Sequence, residues 1–145
     1  MRQLATVDLR NGELIVSSYS QTVPGFWIAY GPIIRLLGDA DDTVLGTALN
    51  DVLAHSRCSV SPPPKGATAF DSVLRLLKLK SYAQYVRGTL SVGVMRDGRQ
   101  VIVTPKLNGG AATGFTDMPD QAETLNDPSP AAMSQAVWRA LARAV

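Results

Sequence analysis

Cys58 and His55 are the only cysteine and the only histidine in 145 residues. A single cysteine excludes an intrachain disulfide, and a zinc site assembled from several Cys and His side chains is excluded with it. Charged residues are also sparse, at 18% of the chain with a net charge of +2, which is far from the charge density of a disordered polypeptide. Long apolar runs are missing too. None approaches the roughly 20 residues of a membrane span. The N-terminal stretch Met1–Asp8 lacks the apolar core of a secretory signal, because Asp8 and Arg10 interrupt it. These absences make the cytoplasm the expected compartment and leave no membrane partner.

What is present fits one domain spanning residues 1–145. The length suits a single core, and a hydrophobic share of 46% is ordinary for a globular protein. A chain of this size needs neither a disulfide nor a metal to fold.

The first 30 residues read as strands. Arg2–Leu9 and Glu13–Ser18 flank Asn11-Gly12, a strong two-residue hairpin signal. Pro24-Gly25 breaks the chain before the aromatic run Phe26–Tyr30, and Gly31-Pro32 punctuates before a short strand at Ile33–Leu37. The period then changes. Asp41-Asp42-Thr43 offers an N-cap, and Val44, Leu45, Ala48, Leu49, Val52 and Leu53 recur at helical spacing, which predicts a helix over 43–56. Ser59–Gly66, with three consecutive prolines, predicts an exposed extended loop. A second helix is expected over 69–79 and a short third one after Ser81, ending at Gly88. Thr89–Met95 and Gln100–Pro105 alternate around Asp97-Gly98 as a hairpin. Residues 107–116 read as a glycine-rich loop and Ala122–Leu125 as a short strand. Ser129-Pro130 opens a terminal helix carrying Val137, Trp138, Leu141 and Val145 on one face.

Runs of strands separated by runs of helices indicate an α+β domain: a mostly antiparallel, twisted sheet with about four helices packed against it, expected on one side. There is no internal repeat.

The catalytic inventory is thin. His55 and Cys58 sit three apart near a helix end, where an imidazole and a thiol could meet. No orienting Asn or Asp follows in a recognisable motif, so His55 is expected to cap the last turn and Cys58 to act as a small apolar residue. Gly109, Gly110 and Gly114 could present amides to a phosphate, but no helix is expected behind them to complete such a cradle. No nucleophile elbow, zinc-protease or Walker motif is present. The chain is accordingly expected not to be an enzyme and to hold neither cofactor nor metal.

Charge distribution says more. Arg57–Lys106 holds nine bases and two acids, a balance of +7. Asp39–Asp51 holds four acids and no base, and Asp117–Asp127 likewise four acids and no base. Acidic stretches can steer a basic partner, and a basic stretch can contact nucleic acid.

Gly25-Phe26-Trp27-Ile28 begins a longer pattern. It continues through Gly31-Pro32, Leu45-Gly46, Ser56-Arg57 and the proline loop. Lys78-Leu79-Lys80-Ser81-Tyr82 with Tyr85 follows, then the valine-rich hairpin and a final helix after Pro128-Ser129-Pro130. This arrangement, from about Gly25 to Val145, resembles the immunity proteins of bacterial contact-dependent growth inhibition systems. The resemblance implies a cytoplasmic, non-enzymatic inhibitor that binds the C-terminal toxin domain of a cognate effector, often a nuclease, and occludes it. Inhibitors of basic nucleases are expected to be acidic, and this chain is not, so the expected contacts are local: Asp39, Asp41 and Asp42 at the first helix start, with Asp117 and Asp120 in the late loop. On this reading no direct nucleic-acid partner is expected. The alternative is a nucleic-acid-binding module using the basic 57–106 segment.

Overall fold

A computed structural model describes every residue, Met1–Val145. Asn11 and Gly12 take positive φ values of 51° and 72°, the mirror-image turn that matches strand twist, and join β1 (Arg2–Arg10) to β2 (Glu13–Gln21). β3 is one strand, Trp27–Leu37, where the sequence predicts two short ones. Gly31-Pro32 does not end it. β3 lies at a sheet edge, where proline is tolerated, and a register shift between Ser17 and Tyr19 of β2 absorbs the irregularity.

The first helix, α1 (Asp42–Ala54), starts where the sequence places it: Asp41 Oδ1 accepts the Val44 amide at 2.9 Å. α2 (Asp71–Leu77) is shorter than expected, and Thr68 and Asp71 tie its first turn together, the Thr68 amide donating to Asp71 Oδ2 at 3.0 Å. α3 (Tyr82–Val86) is capped by Ser81. β4 (Leu90–Asp97) and β5 (Gln100–Asn108) form the expected hairpin. The expected glycine-rich loop is instead partly regular. It contains a one-turn helix, α4 (Gly110–Thr113), and β6 (Phe115–Asp117), which pairs with Lys106–Asn108. Asn108 organises this corner. Its side chain donates to the Val86 and Thr89 carbonyls at 2.7 and 2.9 Å and accepts the Gly110 amide at 2.9 Å. β7 (Glu123–Asn126) pairs with the first half of β5, and α5 (Pro130–Arg143) follows its Ser129 cap.

The result is one open antiparallel sheet of seven strands in the order β3-β2-β1-β4-β5-β6, with β7 sharing the outer edge of β5. The α+β expectation holds. The expectation that all helices lie on one side does not. α1 and α5 cover one face over Ala5, Val7, Leu14, Val16, Val92, Val94, Val101 and Val103. α2 and α3 cover part of the other, against Ile15, Tyr19, Ala29 and Ile33. The cause is legible in β2, where Leu14-Ile15-Val16 is apolar on both sides and leaves a second face to bury. On the first face α1 and α5 cross closely at Gly46, where an added Cβ would stand 2.3 Å from the Pro130 carbonyl oxygen.

Candidate functional site

Edge strands present unpaired backbone groups, and β3 does so over only part of its length. Its first half is occupied: the Ala29 amide donates to the Ala69 carbonyl at 3.0 Å, and the Ala29 carbonyl accepts from Ser72 Oγ at 3.3 Å. Its second half is open. The Gly38 amide turns inward to the Gly12 carbonyl at 2.8 Å, so the alternation of the ladder turns the backbone of Ile33 and Arg35 outward. Beside this free edge lies a groove of about 710 Å³ between β3 and α1, lined by Ile34, Val44, Thr47, Ala48 and Asp51 among others. Val44, 44% exposed, stands at its rim, and Leu37, 76% exposed, ends the free edge.

The acids expected from sequence fall into two groups. Asp39 is exposed in the turn after β3, and Asp41 caps α1. Asp42 accepts from Ser134 Oγ at 3.2 Å and Gln135 Nε2 at 3.1 Å, which ties the start of α1 to α5. Asp51, not one of these three, lines the groove wall. It was visible in the acid-only stretch 39–51, but only the fold brings it beside Val44 and Ala48. Asp117 lies in β6, 3.5 Å from Lys106 Nζ, and Asp120 is exposed in a single 3₁₀ turn at Pro119–Gln121. β3 and β6 are opposite ends of the sheet order, five strand spacings or roughly 24 Å apart. The two acidic stretches therefore do not form one patch.

The remaining candidates resolve simply. His55 sits at the C-cap of α1 with Nδ1 2.9 Å from the Asp51 carbonyl, so its ring caps the helix as the sequence reading expected. Cys58 is a free thiol and, contrary to the small apolar role expected of it, exposed. Gly109 and Gly110 do lead into a helix, but α4 is a single turn and Gly110 N–H is taken by Asn108.

The sequence reading missed a buried polar cluster on the second sheet face. Asp8 is 3% exposed; its carboxylate accepts from Tyr85 Oη and from Ser91 Oγ, the latter at 2.5 Å. Burial raises its pKa, and the two hydrogen bonds and the positive charge of Lys106 oppose that shift. The Tyr85 and Tyr19 phenols are pushed up by burial and then by the Asp8 charge. Arg10 lies over the Tyr85 ring, 5.4 Å from its centroid, and donates to the Tyr85 carbonyl. This constellation is sealed beneath α3, so its role is to hold that helix on the sheet. The alternation of Leu4, Thr6 and Asp8 with Ala5, Val7 and Leu9 was the available signal, but it does not announce burial.

No family model matches the chain, and no curated protein matches it. Solved structures do. The fold is shared with a Neisseria meningitidis protein of unknown function, at 19% identity and a TM-score of 0.81 over 100% of this chain and 96% of that one. It is shared equally with a chain of the CdiA-CT/CdiI toxin and immunity complex from Yersinia pseudotuberculosis, at 14% identity and a TM-score of 0.80 over 100% and 98%. At such identities the likeness establishes the fold.

Proposed function

We infer that this chain is an immunity protein that binds a toxin domain in the cytoplasm and neutralises it by occlusion, without turnover. The observation that carries this reading is the whole-length likeness to a chain of a toxin and immunity complex. It accords with the resemblance seen in the sequence. Within it, the free edge of β3 and the adjoining α1 groove form the surface best suited to a protein partner. Unpaired backbone at Ile33 and Arg35 can accept a partner strand, Ile34 and Val44 offer apolar contact, Asp51 lines the groove, and Asp39 and Asp41 lie in the adjoining β3–α1 connection, whereas the Asp42 carboxylate is engaged by α5. A basic toxin such as a nuclease of contact-dependent growth inhibition fits that surface. Asp117 and Asp120, on the far edge, would serve a separate contact. A tight complex needs an interface on the order of 1,600 Å² in total, more than the groove alone supplies.

Co-expression with the C-terminal domain of a large secreted protein encoded beside this chain tests the proposal. Restored growth and a co-purifying pair are expected. Growth arrest together with no co-purification would contradict it.

A further inference from the structure

The roof over the second sheet face has two unlike sides. Phe70, Val73, Leu74, Leu77, Leu79 and Tyr85 pack toward the sheet, so the cations of the same segment are left outside. Between Arg57 and Gly88 there are six bases and one acid. Arg57, Lys65, Arg75, Lys78, Lys80 and Arg87 are all exposed. The one acid, Asp71, is engaged by Thr68, whose amide and hydroxyl donate to it at 3.0 and 2.6 Å. None of the six cations takes part in an ion pair; those of the chain are Arg35–Glu13, His55–Asp51, Lys106–Asp117 and Arg139–Glu123. A surface that served only solubility would intersperse both signs.

A second feature adjoins the cations. Tyr30, 50% exposed on β3, and Arg75 line one groove of about 310 Å³ together with Pro62–Pro64 and Asp71, whose carboxylate is held by Thr68. An open aromatic ring beside a guanidinium is the arrangement on which an unpaired base stacks while its phosphate is neutralised. A groove of this size takes one unstacked base, not a duplex. We propose that this roof is a docking surface for single-stranded nucleic acid, with phosphates on Arg75, Lys78, Lys80 and Arg87 and a base against Tyr30. It narrows the alternative offered by the sequence, a nucleic-acid-binding module on the basic 57–106 segment, to single strands on 75–87, and it stands independently of the toxin neutralisation proposed for the β3 edge and α1.

Fluorescence anisotropy of a labelled single-stranded RNA dodecamer tests it. Four phosphate contacts imply binding about 50-fold weaker at 200 mM than at 50 mM salt, because log affinity falls by about 0.7 per contact for single strands. Combined Arg75→Gln, Lys80→Gln and Arg87→Gln substitutions should flatten that dependence to about one contact. Tyr30→Ala should weaken binding about tenfold at an unchanged salt slope, and Tyr30→Phe should retain it. Circular dichroism of each variant confirms that it is folded. No anisotropy change at 50 mM salt would overturn the proposal, as would a salt slope untouched by the triple substitution. Equal binding of poly-glutamate would also overturn it and assign the surface to an acidic protein.

Discussion

Beneath α1 and α5 the sheet presents a mainly apolar surface, and the core there holds 18 buried residues. Beneath α2 and α3 it presents Ile15 and Ala29 beside Thr6, Asp8 and Ser17, and the buried apolar cluster holds 4. The first side is held by area removed from water, the second by a small aromatic contact and a directional polar network. Phe70 meets Tyr82 and Tyr85 edge-on, with centroids 5.3 and 4.7 Å away, and Tyr85 is fixed in turn by Asp8. The surfaces differ in the same sense. Acids 39–51 follow α1, and five cations, Lys65, Arg75, Lys78, Lys80 and Arg87, follow the segment over the opposite face, while Arg57 caps the end of α1. A chain whose net charge is only +2 is thus strongly polarised across its sheet.

Truncation separates the two sides. Leu49→Ala, in a site with no solvent exposure, should destabilise the whole domain by about 4 kcal/mol, with one cooperative transition in urea. Asp8→Ala should cost about 2–3 kcal/mol, because it leaves the Tyr85 and Ser91 hydroxyls buried without an acceptor. Val73→Ala, equally buried but on the roof, should cost about 1–2 kcal/mol. Its effect should appear first as faster amide exchange in 71–86, before any loss in β1, β4 or α5. Equal global effects of Leu49→Ala and Val73→Ala would erase the distinction.

The pH dependence sharpens the same contrast. The folded-state pKa of Asp8 is raised, so the native protein holds that proton at a pH where the unfolded chain has released it. Stability contributed there falls as pH rises from the ordinary carboxylate range through the raised value. Asp8→Asn should remove that component from a urea-unfolding series between pH 4 and 7. Glu123 runs the other way: its pKa is lowered by the hydrogen bond from Arg139, so its contribution is lost as pH falls. That pair is on the surface, and Arg139→Ala should move Tm by no more than a degree or two.

Local chemistry made much of this legible in advance. The Asn11-Gly12 turn, the Asp41 cap and the Ser129-Pro130 start each depend on residues a few positions apart, and each forms as read. What escaped depends on distant partners. Asn108 orders residues 109–117 only because Val86 and Thr89 are brought beside it. Asp8 is buried only because Tyr85, 77 residues on, reaches it. Gly31-Pro32 reads as a break until β3 is known to be an edge. The candidate site was half legible: the acid-only run 39–51 was evident, while its pairing with a free strand edge and an apolar groove was not. Asp117 and Asp120 looked equivalent to that run, and the strand order separates them.

Hydrogen–deuterium exchange of the chain with and without the proposed toxin domain tests the central claim most directly. Toxin neutralisation through the β3 edge predicts new protection at 33–37 and across 43–51, with 71–87 and 115–126 unchanged. Protection confined to 115–126, or to the basic roof, would contradict it.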